Sequence, residues 1–414
     1  MSGTDAVGNT GCMVAGHVAA QIFVFLNWML AVGWLGQALG ALRGVPTMPD
    51  LTIPDAAMPA LPLGELPDLS VIVPACNEEA AIEATLRSLL ASTGLRLEII
   101  AVDDRSTDQT GELMDAVAAE SQAGSGLHSL QVVHNRELPA GWLGKPHALH
   151  LGVAQATAPW LLFTDGDVVF HPNALDLGLR YALAKKADHV VLLLTLILNS
   201  TGEAAMLATM SVLSAWKIRL WKVSDPHARD FFGAGGFNLV RREVFERLGG
   251  FQDLRMEVLE DLRLGFKIKR AGYAQHVVLG PGLTRIRWIE GALGVVRLTE
   301  KNNFAIYRYR TGVALIACIG LAISVLSPLV AIASGGWATA AGLFTYASIA
   351  LAYFAHRRIT QVSPWVAVFF APAGAIVLFA VLRSVVLTLL RNGVEWRGTH
   401  YPLDELRRNA GRIL

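Results

Sequence analysis

The chain has 414 residues, of which 53% are hydrophobic and 17% charged, and its mean hydropathy is +0.43. This composition excludes an ordinary soluble protein and indicates segments that lie in lipid. The formal net charge of +1 gives no electrostatic reason to expect a nucleic-acid partner, because phosphate backbones require clustered positive charge.

The first predicted element is an apolar run from Asp5 to Arg43 that contains one histidine, His17, and no charged residue between its ends. About 20 such residues span a bilayer, so residues 1–44 are predicted to be a transmembrane anchor. The first positive charge follows this run, and the N-terminus is therefore expected outside and the next domain in the cytoplasm. Six prolines in residues 45–68 predict a stiff linker.

Strand and helix patterns alternate from residue 69 onward. Apolar, β-rich runs predict strands at 69–73, 97–102, 130–133 and 160–163, and helical patterns lie near 78–92, 109–120, 145–156 and 172–185. This alternation predicts an α/β domain with a mostly parallel sheet. Ligands of such sheets bind at the carboxyl ends of the strands, so the residues that follow each strand form the candidate site.

Acidic side chains follow three of these strands: Glu78 after the first, Asp103, Asp104 and Asp108 after the second, and Asp165 and Asp167 after the fourth. Each group alone is compatible with an ordinary turn or helix cap. Together they predict a divalent metal, Mg²⁺ or Mn²⁺, held against a diphosphate. A dinucleotide site is excluded because no glycines follow the first strand.

These motifs, in this order, resemble those of family 2 glycosyltransferases. The resemblance covers about residues 69–310 and rests on Pro74–Glu78, Asp103–Asp108, Gly141–Lys145, Asp165–Asp167, Gly233–Phe237 and Glu260-Asp261. It implies a GT-A fold over residues 69–288 and a nucleotide-sugar donor. Apolar segments on both sides make the chain most similar to the lipid-directed branch, such as ceramide, hopanoid-associated and carotenoid glycosyltransferases, which implies a lipid acceptor.

The resemblance also implies roles for individual residues. Nucleotide-sugar binding is expected from Pro74, Ala75, Glu78, Asp104, Lys145 and Asp165. Asp167, together with Asp165, is expected to coordinate the metal. Asp261 is the expected catalytic base, kept ionised by the N-terminus of the helix that it opens. Glu260, Arg287 and Trp288 are expected on the acceptor side.

The C-terminal third is predicted to return to the membrane. Residues 289–310 form a basic amphipathic pattern suited to the inner leaflet, and residues 311–391 hold the transmembrane segments, with a hairpin divided at Gly335 and Gly336. The last apolar run, 364–390, either crosses or re-enters, and a re-entrant path broken at Pro372 keeps the basic tail, 392–414, in the cytoplasm. Within this tail, Trp396–Tyr401 resembles a C-terminal element of the lipid-directed relatives and has no evident role.

The predicted function is a metal-dependent, inverting transfer of one sugar from a nucleotide sugar to a membrane lipid, at the cytoplasmic face of the inner cell membrane. A processive polysaccharide synthase is the alternative, although Thr284 stands where the glutamine of the synthase motif would lie. A third hypothesis is an inactive membrane protein that binds nucleotide sugars. The sequence identifies neither the sugar nor the lipid.

Overall fold

The structure is a computed structural model that describes residues 4–410 apart from 56–57, 59–60, 62–63, 65, 124–125 and 289, with side chains described from residue 16 onward. The helices are α1 (Thr4–Gly44), α2 (Ile82–Leu90), α3 (Thr110–Ala123), α4 (Gly144–Gln155), α5 (Ala174–Ala184), α6 (Thr201–Ser214), α7 (Arg242–Arg247), α8 (Glu260–Arg270), α9 (Gly294–Leu298), α10 (Glu300–Ile306), α11 (Thr311–Ala333), α12 (Gly336–Thr360), α13 (Phe370–Leu390) and α14 (Leu403–Asn409). The strands are β1 (Leu69–Ala75), β2 (Leu97–Asp104), β3 (Ser129–Asn135), β4 (Trp160–Phe163), β5 (Val169–Phe170), β6 (His189–Leu192), β7 (Thr195–Leu196), β8 (Asn238–Arg241), β9 (Gln275–Val278), β10 (Thr284–Ile286), β11 (Gly393–Trp396) and β12 (Thr399–Pro402).

A seven-stranded sheet in the order β3-β2-β1-β4-β8-β6-β9 forms the centre of the α/β domain. Strands β1 to β4 are parallel, whereas β8 runs antiparallel to both of its neighbours. The predicted α/β architecture with a mostly parallel sheet is therefore confirmed. The strands beyond β4 are short and were not predicted.

Helices cover both faces of this sheet, which is why all seven residues of β1 are buried. Successive side chains of a strand point to opposite faces. Val71 and Val73 accordingly pack with Leu86 of α2 on one face, and Ile72 packs with Leu149 of α4 on the other. The sheet is held firmly enough to fix the position of the residues at its carboxyl edge.

In the part of the chain that the structure describes, four helical segments are long and apolar enough to cross a membrane: Gly16–Thr47, Thr311–Ala333, Gly336–Thr360 and Pro364–Leu390. The predicted break between the second and third lies where expected, because Gly335 and Gly336 both adopt positive φ. Polar side chains join these helices to one another. Trp34 Nε1 donates to Ser324 Oγ at 3.2 Å, and Ser327 Oγ donates to Asn27 Oδ1 at 2.6 Å.

The last apolar segment does not break at Pro372. This proline lies in the first turn of α13, where its missing N–H is not needed for helical hydrogen bonds. The break instead precedes the helix, where Gln361 adopts φ +57 and a 3₁₀ turn covers Pro364–Phe369.

Both ends of this segment contact the α/β domain. Before it, Gln361 Nε2 donates to Thr195 Oγ1 at 3.4 Å. After it, the N–H of Gly144 donates to the Tyr401 hydroxyl at 3.1 Å. The chain therefore enters and leaves the helical bundle on the same side.

The region predicted as one amphipathic helix forms two short helices, α9 and α10. They meet at Thr299, whose hydroxyl donates to the Val295 carbonyl at 2.7 Å. Two basic side chains expected at the lipid surface turn into the protein instead. Arg308 Nη2 donates to the Ala410 carbonyl at 2.8 Å, and Lys301 lies over the ring of Trp396.

Candidate active site

The loops after β1 and β2 are joined by side-chain hydrogen bonds to backbone. Asn77 adopts φ +57 and its Oδ1 accepts from Thr107 N at 2.8 Å, so Asn77 links the two loops and does not cap α2. Asp103 is buried and accepts from Ser106 N at 3.2 Å. Asp103 thus supports the turn, while its neighbour Asp104 faces the edge where the other acidic groups lie.

Asp104 is already engaged by protein groups. Its two oxygens accept from Arg105 Nε and Nη2, each at 3.0 Å, and Oδ1 also accepts from Asn135 Nδ2 at 2.8 Å. Pro74 and Ala75, at the end of β1, are buried, so only a small part of this wall is exposed to a ligand. The predicted nucleotide contacts of these three residues stay predictions.

Lys145 connects two carboxylates from distant parts of the chain. Its Nζ lies 2.6 Å from Asp165 Oδ1 and 2.7 Å from Glu260 Oε1. Burial disfavours the charged amine, but the adjacent carboxylates outweigh this effect and raise the pKa of Lys145 above its ordinary value. Burial likewise acts to raise the pKa of Asp165, but the Lys145 charge brings it below the ordinary value.

This ion-pair network bears on two predictions, and both stay predictions. Lys145 was expected to contact the donor, but its charge is already shared by two carboxylates. Glu260 was expected on the acceptor side, yet it is only 4% exposed and pairs with Lys145. A carboxylate buried to this extent requires a cation, and Lys145 supplies it.

A glycine-rich run brings the segment before β8 close to the first turn of α8. A Cβ at Gly233 would lie 1.9 Å from the Asp261 carbonyl oxygen, and a Cβ at Gly235 would lie 2.7 Å from Asp165 Oδ2. Any larger residue would push these groups apart. The run Gly233–Gly236 therefore positions both carboxylates, a role that sequence reasoning missed although three glycines in four residues were the signal.

Asp167 differs from Asp104, Asp165 and Glu260 because no basic side chain pairs with it in the described part of the chain. Among the described residues, no cation lies within ion-pair distance of it, and its side chain is half-buried. Burial, with the charges of Asp165 and Glu78 adding to it, raises the pKa of Asp167 to about 7. A cation placed here would relieve this repulsion.

The described residues contain no cluster of three His, Cys, Asp or Glu side chains that could hold a metal alone. Mg²⁺ and related ions are commonly held by one or two carboxylates together with substrate phosphates. Asp167, with Asp165 close by, fits that requirement when a diphosphate completes the ligand set.

Asp261 lies at the first turn of α8, beside a pocket. The pocket is lined by Lys145, Leu149, Phe163, Thr164, Gly235, Asn238, Phe251, Glu260, Asp261 and Leu264. Burial, followed by the charge of Glu260, raises the pKa of Asp261 to about 7, although Oδ1 accepts from Leu262 N at 2.6 Å. The helix N-terminus was expected to keep Asp261 ionised; burial and the charge of Glu260 act against that effect, and the role of Asp261 as the base stays a prediction.

Two cations reach the site from the C-terminal part of the chain, and sequence reasoning missed both. Arg397 Nη2 lies 2.5 Å from Glu78 Oε1. Lys301 Nζ lies 3.6 Å from the ring centre of Trp396. The Trp396–Tyr401 motif was the only sequence signal for this region, and nothing in its pattern shows which strand end it contacts.

Arg287 and Trp288 lie elsewhere. Arg287 is exposed and its nearest charged partner is Glu290, at 3.8 Å. Trp288 packs between the core of the α/β domain and the cluster around Met206, so it joins the domain to the helices. No contact within the described ranges connects either residue to Asp261, and their acceptor role stays a prediction.

Part of the chain matches a known protein family. Residues 70–249 match the family model described as "Glycosyl transferase family 2". These residues form a family 2 glycosyltransferase domain.

The glycosyltransferase domain has relatives in several bacteria. The chain is 30% identical over 224 residues to the probable glycosyltransferase YdaM of Bacillus subtilis, covering 50% of this chain and 48% of that protein. It is 24% identical over 265 residues to the 4,4'-diaponeurosporenoate glycosyltransferase of Staphylococcus haemolyticus, covering 54% and 67%. The matches thus span about half to two thirds of the length of these relatives.

A solved structure supports the fold of the whole chain. The mannosyltransferase PcManGT of Pyrobaculum calidifontis, in complex with GDP-Man and Mn²⁺, matches with a TM-score of 0.51 and 19% identity, covering 88% of this chain and 99% of that one. The glycosyltransferase domain therefore has the GT-A fold that the resemblance implied.

Proposed function

We propose that this protein transfers a single sugar from a nucleotide sugar to a hydroxyl group of a membrane lipid, with inversion at the anomeric carbon. The observation that carries the proposal is the pocket in which Asp261 lies beside the Lys145–Asp165 ion pair. The pocket is lined by Lys145, which is one of the predicted donor-binding residues, as well as by Asp261.

Asp261 acts as the general base. It removes the proton of the acceptor hydroxyl, whose oxygen forms a bond to the anomeric carbon while the bond from that carbon to the diphosphate oxygen breaks. The bonding electrons leave with the nucleoside diphosphate, and this single displacement inverts the anomeric centre. A pKa of about 7 suits the task, since a base is most effective when its pKa lies near the operating pH.

The donor is held at the edge of the sheet. Pro74, Ala75, Glu78 and Asp104 form the nucleoside wall, and Asp167, with Asp165 near it, would hold Mg²⁺ or Mn²⁺. When bound, the metal neutralises charge on the leaving diphosphate. Lys145 keeps Asp165 and Glu260 in position through its two ion pairs.

The membrane arrangement follows from the contacts of the helices. Helices α1, α11 and α12 cross the bilayer of the inner cell membrane, and α13 re-enters it. The re-entrant path is supported by contacts of both its flanks with the α/β domain. The N-terminus then lies outside, while the glycosyltransferase domain and the basic tail share the cytoplasmic side, in agreement with the charge rule.

A transfer assay tests the proposal. The full chain in lipid nanodiscs made from a membrane lipid extract is incubated with Mn²⁺ and a panel of radiolabelled UDP- and GDP-sugars. We expect one donor to label the lipid fraction, with a mass increase of one sugar and an inverted anomeric configuration.

Other outcomes contradict the proposal in distinguishable ways. A ladder of product masses would indicate a processive synthase. Donor binding without any labelled lipid would indicate a protein that binds nucleotide sugars without transferring them. Retention of configuration would exclude the single displacement.

A further inference from the structure

We propose that the C-terminal hairpin, formed by β11 and β12, is the outer wall of the donor site, and that Arg397 and Lys301 bind the diphosphate of the donor. This inference rests on the proposed function. It assigns a role to a tail segment that lies more than 140 residues beyond the matched family domain.

The hairpin is fixed against the site at several points. The Tyr401 hydroxyl accepts from Gly144 N, at the start of α4, at 3.1 Å. Arg105 Nη1 donates to Thr399 Oγ1 at 3.3 Å. Both contacts lie next to Asp104 and Lys145, so the hairpin is held over the carboxyl edge of the sheet.

The same face of the hairpin is also buried among helices. Val394 and Tyr401 share a hydrophobic cluster with Phe304 of α10 and Val385 of α13. Leu403 of α14 belongs to the same cluster. The wall is therefore supported by the helices next to the bilayer, and its position does not depend on the contacts with the site alone.

The charge balance calls for cations at this edge. The carboxylates around the site are Glu78, Asp104, Asp165, Asp167, Glu260 and Asp261, and a diphosphate adds further negative charge. Lys145 is occupied by two carboxylates and Arg105 by both oxygens of Asp104. Arg397, by contrast, contacts a single oxygen of Glu78, and Lys301 has no carboxylate within ion-pair distance among the described residues, so these two cations have capacity left for a donor.

Arg397 occupies the tip of the hairpin. Trp396 pairs with Thr399, so Arg397 and Gly398 form a two-residue turn in which both residues have positive φ. Asn-Gly is the preferred pair in such a turn, so backbone preference does not account for an arginine at position 397. The contacts of its side chain explain the choice of residue better. That side chain reaches Glu78, at the end of the predicted nucleotide wall.

Lys301 is a cation without a carboxylate partner. Among the described residues no acidic oxygen lies within ion-pair distance of its Nζ, which rests on the ring of Trp396. Burial and the charge of Lys145 lower the pKa of Lys301 to about 8. An anion beside this amine would remove the cost of holding the charge there.

Donor binding then exchanges the carboxylate partner of Arg397 for the phosphates of the donor. Without donor, Arg397 pairs with Glu78. With donor, its guanidinium binds the phosphates through charge-assisted, bidentate hydrogen bonds, and Lys301 adds a second positive charge.

Binding measurements test the inference without relying on turnover. The full chain in nanodiscs is titrated by calorimetry with UDP and GDP, and with UMP and GMP as monophosphate references, in the presence of Mn²⁺. For Arg397→Gln and Lys301→Gln we expect diphosphate affinity to fall about 10- to 100-fold, with a smaller change for the monophosphates. Arg397→Lys should recover part of the loss.

The control is Arg408→Gln, because Arg408 is an exposed arginine of the same tail that lies on α14, outside the proposed wall. Its diphosphate affinity should equal that of the wild type. Thermal unfolding shows whether Arg397→Gln is folded. If it is not, the diphosphate affinities of Arg397→Lys and Lys301→Gln test the role of the hairpin instead.

The outcomes separate the two proposals. The role of the hairpin would be overturned if Arg397→Gln and Lys301→Gln bound diphosphates as tightly as the wild type. It would also be overturned if both variants lost equal affinity for diphosphates and monophosphates. The proposed function would stand in either case. A wild type that binds neither UDP nor GDP would overturn both.

Discussion

Two regions meet at the active site, and they supply opposite charges by different routes. The carboxyl edge of the sheet supplies acidic groups, among them Glu78, Asp104 and Asp167, from the last residues of strands and the loops that follow them. The C-terminal region supplies Lys301 and Arg397, which reach the site only because α10 and the hairpin pack against the domain. The comparison teaches that local strand order places the acids, whereas long-range packing places the cations.

The largest expected effect tests the acidic region alone. Asp261→Asn removes the proposed base and keeps the size of the side chain, so transfer should slow about 100- to 10,000-fold while donor affinity changes little. Rates of sugar transfer to lipid and calorimetric donor titration measure the two quantities. The matched control is Glu112→Gln, on the exposed face of α3, which should transfer at the wild-type rate.

A second prediction tests the link between the sheet edge and α8. Lys145→Gln leaves Glu260 and Asp165 without their cation, and the free energy of unfolding should fall by about 3 kcal/mol. Thermal unfolding in detergent measures this loss. Lys185→Gln breaks an exposed pair and should cost at most about 1 kcal/mol. Equal effects of the two changes would contradict a special role for Lys145.

A third prediction concerns the glycine run. The Cβ of Gly233→Ala meets backbone, which cannot move aside, and we expect a loss of about 1 to 3 kcal/mol in stability together with slower transfer. The Cβ of Gly235→Ala meets the ends of the Asp165 and Lys145 side chains, which can shift, so its stability should change less. Activity of Gly233→Ala at the wild-type level would show that this close approach does not position Asp261.

The smallest expected effect is the pH dependence. The base must be deprotonated, and its pKa is raised to about 7, so kcat/KM should fall about tenfold per pH unit as the pH drops below 7. Lys145 acts to lower this pKa, so Lys145→Gln should move the acidic limb to higher pH. An acidic limb near pH 4 in the wild type would contradict the raised pKa of Asp261.

Much of the fold could be predicted because its signals are local. Apolar runs of strand length, separated by helical patterns, identified β1 to β4 and the helices between them. The acids at the strand ends could be found for the same reason, since each follows its strand directly. The glycine pair at residues 335–336 likewise indicated the turn between α11 and α12.

The sequence by itself thus determined the α/β order, the acidic edge of the sheet and the apolar helices, because side-chain periodicity and strand ends are properties of neighbouring residues. Only the tertiary structure decided that Lys145 joins Asp165 to Glu260, that Asp261 is buried enough to raise its pKa, and that Arg397 contacts Glu78. These contacts join residues separated by 20 to 319 positions, and burial and ion pairing at such separations depend on how whole elements pack.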